Sequence, residues 1–153
     1  MTEIEVRALQ AAEVGRLESE EPPGRGFARA MWALQEEGGS TLLVAWDGDR
    51  PVGSGQLDLR GTEPELRNLR VEAAERGRGV GTAIVREAER HVGPRGRLTV
   101  GVALDNPRAR ALYERLGYRG TGEVATTTYA YVDDAGVTRQ ATETDETLAR
   151  DLG

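Results

Sequence analysis

The strongest constraint on this chain is a change of periodicity within one short stretch. Residues 66–71 read as a strand introduced by Pro64. Glycines then stand at 77, 79 and 81, and Val80, Ala83, Ile84, Ala88 and Val92 recur at helical spacing to about His91. A strand that passes through a glycine-rich loop into an amphipathic helix brings backbone N–H groups and a positive dipole end to one point. That arrangement suits a phosphate-bearing anion. Arg76 and Arg78 add forked donors beside it. The glycines alternate as GxGxG. They therefore match neither a GxGxxG dinucleotide fingerprint nor a P-loop, which also needs a lysine.

The remaining elements arrange themselves around this unit. Residues 3–9 read as a strand, residues 10–20 and 27–37 as helices, and residues 41–46 and 52–59 as strands flanking a turn at 47–51. Residues 98–104 alternate, with Leu98, Val100, Val102 and Leu104 on one face. Asn106-Pro107 then starts a helix over 108–116, with Asn106 as the cap and Pro107 at the first helical position. Gly117 ends it, and the chain is extended from Tyr118 onward with a turn at 133–136. Three strands before the first long crossover imply a mixed sheet, an α/β (α+β) arrangement rather than a wholly parallel one. A length of 153 residues without a low-complexity linker implies one domain, 1–153.

Composition excludes several chemistries. With no Cys there is no thiolate nucleophile and no Cys-ligated zinc. A single histidine, His91, rules out sites with two His ligands and reads as structural near a helix C-terminus. The 20 basic residues are all Arg, which removes Schiff-base lysine chemistry. No metal site is expected; Asp133-Asp134 and Asp145-Glu146 read as turn and surface charges. Ser54 lacks the spacing of a nucleophile elbow. The net charge is -6, yet residues 67–119 hold 12 Arg against 6 Asp+Glu. An acidic chain with a basic middle argues against nucleic acid as partner and for a local anionic ligand. No apolar run approaches a membrane span, and the first ten residues lack a signal-peptide pattern, so a cytoplasmic protein with no membrane partner is expected.

Residues 65–118 resemble the GNAT superfamily of N-acetyltransferases. Arg76-Gly77-Arg78-Gly79-Val80-Gly81 is similar to that family's acyl-CoA loop, and Leu69-Arg70-Val71 to the strand before it. Asn106 and the helix ending Leu112-Tyr113-Glu114-Arg115-Leu116-Gly117-Tyr118 are similar to its later motif. The resemblance implies a single GNAT-like domain. Its central sheet would be mixed and mostly antiparallel, with about seven strands flanked by about four helices, and splayed between strands four and five. It implies acetyl-CoA as acyl donor, lying in that split.

It further implies roles for named residues. Leu69, Arg70 and Val71 would contact pantetheine or the acetyl group, and the Val71 N–H would polarise the thioester carbonyl. Arg76, Gly77, Arg78, Gly79, Val80, Gly81 and Thr82 would hold the pyrophosphate. Tyr113 would donate to the leaving thiolate. Asn106 is both a helix cap and, by resemblance, a cofactor contact; Arg108 and Arg110 either meet phosphates or are solvated. Glu65 stands where the family places a catalytic glutamate, with Glu63 and Asp58 as weaker alternatives for the base. Trp32, Trp46, Phe27 and Met31 fall in segments that line the acceptor cleft, and read as core. The implied reaction is direct attack by a primary amine, either a small amine or a peptide N-terminus, in a ternary complex. A homodimer would suit the family. The alternative class is a non-catalytic acyl-CoA-binding sensor.

Overall fold

The structure, a computed structural model, describes residues 3–153. Met1 and Thr2 belong to the expected 1–153 domain and lie outside the described residues.

Seven strands form one sheet: β1 (Ile4–Ala8), β2 (Ser40–Asp47), β3 (Arg50–Asp58), β4 (Glu65–Val71), β5 (Arg97–Ala103), β6 (Arg119–Val132) and β7 (Thr138–Asp151). The spatial order is β1-β2-β3-β4-β5-β7-β6. Every neighbouring pair is antiparallel except β4–β5, which is parallel. The helix α3 (Val80–Val92) makes the crossover between those two strands.

Alternation decides which face each strand buries. Leu98, Val100 and Val102 of β5 join Leu57, Leu66 and Leu148 beneath Val80, Ile84, Val85 and Ala88 of α3. Tyr113 of α4 (Pro107–Arg115) packs into the same cluster, so α3 and α4 share a face. On the opposite face, Leu42, Val44 and Trp46 of β2 meet α1 (Val14–Glu18) and α2 (Phe27–Glu36) through Val14, Leu17, Phe27, Ala28, Met31 and Trp32. Trp46 is thus core, as are Met31 and Trp32 at its margin.

The expected helix over 10–20 is shorter than its periodicity implies. Residues Ala11–Glu13 are a 3-10 turn, and the α-helix begins only at Val14. The Glu13 side chain reaches back to the Gln10 N–H at 3.0 Å and also binds Arg7, which tightens the first turn. Ser19 then returns its hydroxyl to the Arg16 carbonyl at 2.7 Å, and the helix stops.

Candidate active site

The site begins where the sheet parts. Parallel pairing of β4 with β5 is confined to Glu65↔Thr99 and Leu66↔Val100. Beyond Leu66 the two strands diverge. A bulge in β4 assists: Asn68 and Leu69 together oppose Gly55, with the register shifting between Ser54 and Gln56. Asn68 has φ 54°, the one non-glycine residue in left-handed conformation among the described residues, and its Nδ2 donates to the Gln56 side chain at 3.0 Å. Gly55 makes the bulge possible, because a Cβ there would lie 2.9 Å from Ile84 and 3.1 Å from Leu66. One consequence is that Leu66, Leu69 and Val71 can all turn toward α3, although simple alternation would separate Leu66 from Leu69.

The backbone of Val71 faces the opening. Glu72 donates its N–H to Val52 at 2.9 Å, which makes that pair a hydrogen-bonded position. Gly53↔Val71 is the next pair along. Hydrogen-bonded and non-hydrogen-bonded pairs alternate, so the Val71 N–H and C=O point away from β3 and into the gap beside β5.

The loop that follows is an open cradle. Gly77 (φ 85°) and Gly79 (φ 78°) are both left-handed, and a Cβ on either would meet nothing within 4 Å. Glycine is needed there for its conformation, and the space above the loop is free. The first hydrogen bond into α3 comes from Ala83, to the Gly79 carbonyl at 3.0 Å. The N–H groups of Val80, Gly81 and Thr82 therefore precede the helical ladder and face a ligand or water. Gly81 serves packing as well, since a Cβ there would touch Leu112 at 3.5 Å and Val71 at 3.8 Å.

Arg78 has a second engagement. Its guanidinium binds Glu75, and Asp47 at 3.2 Å, while Arg50 binds the same two carboxylates at 2.8 and 3.2 Å. The buried Glu75 carboxyl is held below its usual range by hydrogen bonds from Arg50 and Arg78. This four-residue network ties the loop to the β2–β3 turn, and it was not visible in the sequence. Arg78 thus contributes backbone and loop shape, and part of its charge is already matched.

A cleft of about 590 Å³ passes between β4 and β5. Leu69, Asn106, Ala109 and Tyr113 line it from the α4 side, and Glu65, Gly101, Tyr129, Glu143 and Asp145 from the other. Tyr113 is 5% exposed, and burial pushes its hydroxyl up to about 12. It stays protonated and can donate its hydrogen. Its ring meets Tyr118 edge-on, with centroids 5.9 Å apart, which fixes its direction. Asn106 accepts from the Ala109 N–H at 3.1 Å, so its Oδ1 is the cap and its amide nitrogen is left for the cleft. Arg110 binds Glu146 at 2.7 Å.

Glu65 is half-buried at the end of the slot. Burial raises its carboxyl above the usual range; Arg67 opposes this, and Asp58 and Asp145 reinforce it. Of the two alternative carboxylates, Asp58 stands directly opposite Glu65 across the β3–β4 ladder and Glu63 lies at the surface. Asp58 is bound by Arg60 and Arg67 and held far below the ordinary carboxylate range. Glu63 pairs with Arg97 at 3.4 Å at the surface. Glu143 and Asp145 had no role in the sequence reading as cleft residues. Their signal was hidden, because only the β5–β7 register brings Asp145 opposite Ala103.

A second cleft of about 580 Å³ lies on the α1–α2 side, lined by Phe27, Ser54, Arg70, Val71 and Asp134 among others. The β6–β7 tip closes over it. Arg25 donates to the Val132 carbonyl at 2.6 and 3.1 Å and approaches Asp134 at 3.5 Å. His91 pairs with Glu87 on α3, away from both clefts. Among the described residues no group of three or more His, Asp or Glu could hold a metal ion.

Comparison with known proteins agrees with this geometry. The model of the acetyltransferase (GNAT) family matches residues 7–118. The chain is 41% identical over 83 residues to a mycothiol acetyltransferase of Rhodococcus jostii, a match covering 54% of this chain and 27% of that protein. It is 34% identical over 122 residues to the mycothiol acetyltransferase of Rhodococcus opacus, covering 75% of this chain and 39% of that one. The chain thus spans well under half the length of these curated relatives. An N-acetyltransferase from Staphylococcus aureus shares the fold at a TM-score of 0.69 and 14% identity, covering 99% of this chain and 100% of that one. The ribosomal-protein-S18-alanine N-acetyltransferase of Escherichia coli does so at 0.67 and 16%, covering 99% and 95%. Fold, parted strands and glycine cradle together with the family match lead to one conclusion: this chain belongs to the acetyltransferase (GNAT) family.

Proposed function

We propose that the chain transfers an acetyl group from acetyl-CoA to a primary amine by direct attack in a ternary complex, as one domain comprising residues 1–153. The observation that carries this reading is the direction of the Val71 N–H, which opens into the gap between β4 and β5 beside an open glycine cradle. When bound, acetyl-CoA supplies an activated thioester.

The chain's own groups do the rest. The N–H groups from Gly77 to Thr82 hold the diphosphate, with Arg76 at the exposed rim. Leu69 and Val71 flank the pantetheine arm, and the Val71 N–H donates to the carbonyl oxygen as negative charge develops there, an effect worth roughly 3 kcal/mol. Glu65 accepts a proton from the attacking amine, directly or through water, and its raised basicity suits that task. Tyr113 donates a hydrogen bond to the departing sulfur. With a hydroxyl near 12 it acts as a donor and does not surrender its proton to a thiolate of ordinary basicity.

The acceptor is a small amine or a peptide N-terminus, entering from the face that Glu65, Glu143 and Asp145 make acidic. A cytoplasmic setting, where acetyl-CoA is supplied, belongs to the same reading. The test is thiol release from acetyl-CoA across an amine panel. Amine-dependent release supports the proposal; tight acetyl-CoA binding with no release for any amine would leave a sensor instead.

A further inference from the structure

Arg70 is set apart from its neighbours by its direction. Leu69 and Val71 pack toward α3 with the core cluster, so Arg70 between them turns to the opposite face of the sheet. Its cross-strand partner is Ser54. A Cβ on Gly53 or on Gly55 would meet Ile84 of α3, so Ser54, between them, also turns away from α3. Residues directly opposite in an antiparallel pair have Cβ atoms about 5 Å apart, so the guanidinium and the hydroxyl serve one patch. Both line the cleft of about 580 Å³ on the α1–α2 side, and so does Val71.

Most other charges in that cleft are spent. Arg25 is bound to the Val132 carbonyl and faces Asp134 at 3.5 Å. Glu20 is held by Arg16 at 2.9 Å, and Glu21 accepts from the Ala28 N–H at 2.7 Å. Among the described residues, the charged groups of this lining without a partner are Arg70 and Glu72, and the Ser54 hydroxyl is unpartnered as well. The acidic wall lies on the same face. Leu66 and Leu148 point into the core, so Glu65, Glu143 and Asp145 alternate to the side that Arg70 occupies. A molecule entering from that face meets carboxylates on the β5–β7 side and a guanidinium on the β4 side. Such lining complements a dipolar ligand.

We propose that the acceptor is an α-amino acid whose carboxylate is held by the Arg70 guanidinium and the Ser54 hydroxyl, which sets its amine before the thioester beside Val71. The inference rests on the acetyl transfer proposed above and names the acceptor of that same site. A guanidinium offers two parallel N–H donors to the two oxygens of a carboxylate. Amine and carboxylate of an α-amino acid are one carbon apart, and Arg70 adjoins Val71 in the chain, so one small molecule spans both contacts. The nitrogen forms the new C–N bond as the C–S bond breaks, and Glu65 takes the proton that the nitrogen loses. The sulfur takes a proton from solvent, to which Glu65 returns its own, leaving an N-acetyl amino acid and the free thiol of coenzyme A. A peptide N-terminus carries an amide in place of the carboxylate and gains nothing from the charge of Arg70.

The test compares each amino acid with its own primary amide in the thiol-release assay, omitting cysteine, whose thiol would register. The amine of the amide is the less protonated near neutral pH, so a preference for the acid reports recognition and not reactivity. At least one amino acid should exceed its amide in kcat/KM by about tenfold or more. Arg70→Gln should bring that ratio to about one or below. Arg70→Lys should restore part of it, since an ammonium keeps the charge and loses the fork. The ratio is the readout because a lost contact with acetyl-CoA would lower both rates alike. Should Arg70→Gln misfold by circular dichroism, Ser54→Ala is expected to lower the same ratio by about threefold to tenfold. Amides that match or exceed their acids in every pair overturn the inference and leave acetyl transfer standing. So does a ratio that these substitutions do not move. No thiol release with any acid, amide or simple amine overturns acetyl transfer itself, and this inference with it.

Discussion

Gly53 and Val71 stand opposite one another as a non-hydrogen-bonded pair, and this relationship aims the Val71 N–H into the parted sheet. Gly53 has a second effect. A Cβ there would lie 2.9 Å from both the Arg70 carbonyl and Val80, so its absence lets α3 settle closely on β3. The start of α3 and the Val71 amide are thereby placed on one side of the same gap.

Gly53→Ala should be destabilising by about 1–3 kcal/mol, because one of the clashing atoms is backbone and cannot rotate away. Coenzyme A affinity should fall with it, since α3 carries the cradle. Urea unfolding and calorimetry on the same samples check both; undiminished stability would show that the close approach does not matter.

Gly79→Glu should abolish coenzyme A binding. The side chain would project into open space where the diphosphate is proposed to lie, and it adds an anion. The left-handed backbone also costs a non-glycine residue roughly 1–2 kcal/mol. Gly79→Asn separates the two effects, as asparagine tolerates that conformation and carries no charge. It should retain measurable binding where glutamate has none, and binding that survives glutamate would remove the cradle from the account.

Tyr113→Phe should lower kcat by about tenfold to a hundredfold, the worth of one hydrogen bond to a developing thiolate. Acetyl-CoA affinity should hardly move, because the ring and its edge-on contact with Tyr118 remain. Steady-state kinetics beside equilibrium binding distinguishes this from a packing defect, which would weaken both.

The acidic limb of kcat/KM should lie above the ordinary carboxylate range, since burial raises Glu65 and the base acts only when ionised. Asp145→Asn removes a charge that raises Glu65, and should move the limb to lower pH. Arg67→Gln removes the charge that lowers it, and should move the limb to higher pH. Glu65→Gln should erase the limb and reduce the rate by about a hundredfold or more. The profile is best taken with an acceptor whose own amine titrates outside the window. A limb indifferent to all three substitutions would assign the proton to another group.

What the sequence disclosed was local. The glycines at 77 and 79 and the period from Val80 to Val92 lie within a few turns of one another, so the cradle and its helix could be read directly. Asn106-Pro107 announced α4 for the same reason. The parting of β4 and β5 came only from the family resemblance, for it depends on a bulge at Asn68 that Gly55, on the neighbouring strand, makes room for. The partners of Arg78 come from a different strand turn, so its charge looked freer than it is. Glu143 and Asp145 became cleft residues only once β7 had settled beside β5, and pattern alone cannot specify that register. That Arg60 and Arg67 both bind Asp58, the weaker alternative for the base, depends on the β3–β4 pairing and is likewise not legible in the sequence.

The most direct measurement is a titration of acetyl-CoA into uniformly nitrogen-15-labelled protein, followed by amide NMR. The largest shifts should fall at the N–H groups of Val71, Gly79, Val80, Gly81 and Thr82 and saturate together. Saturable binding that leaves those five amides unmoved, or no binding at all, would contradict it.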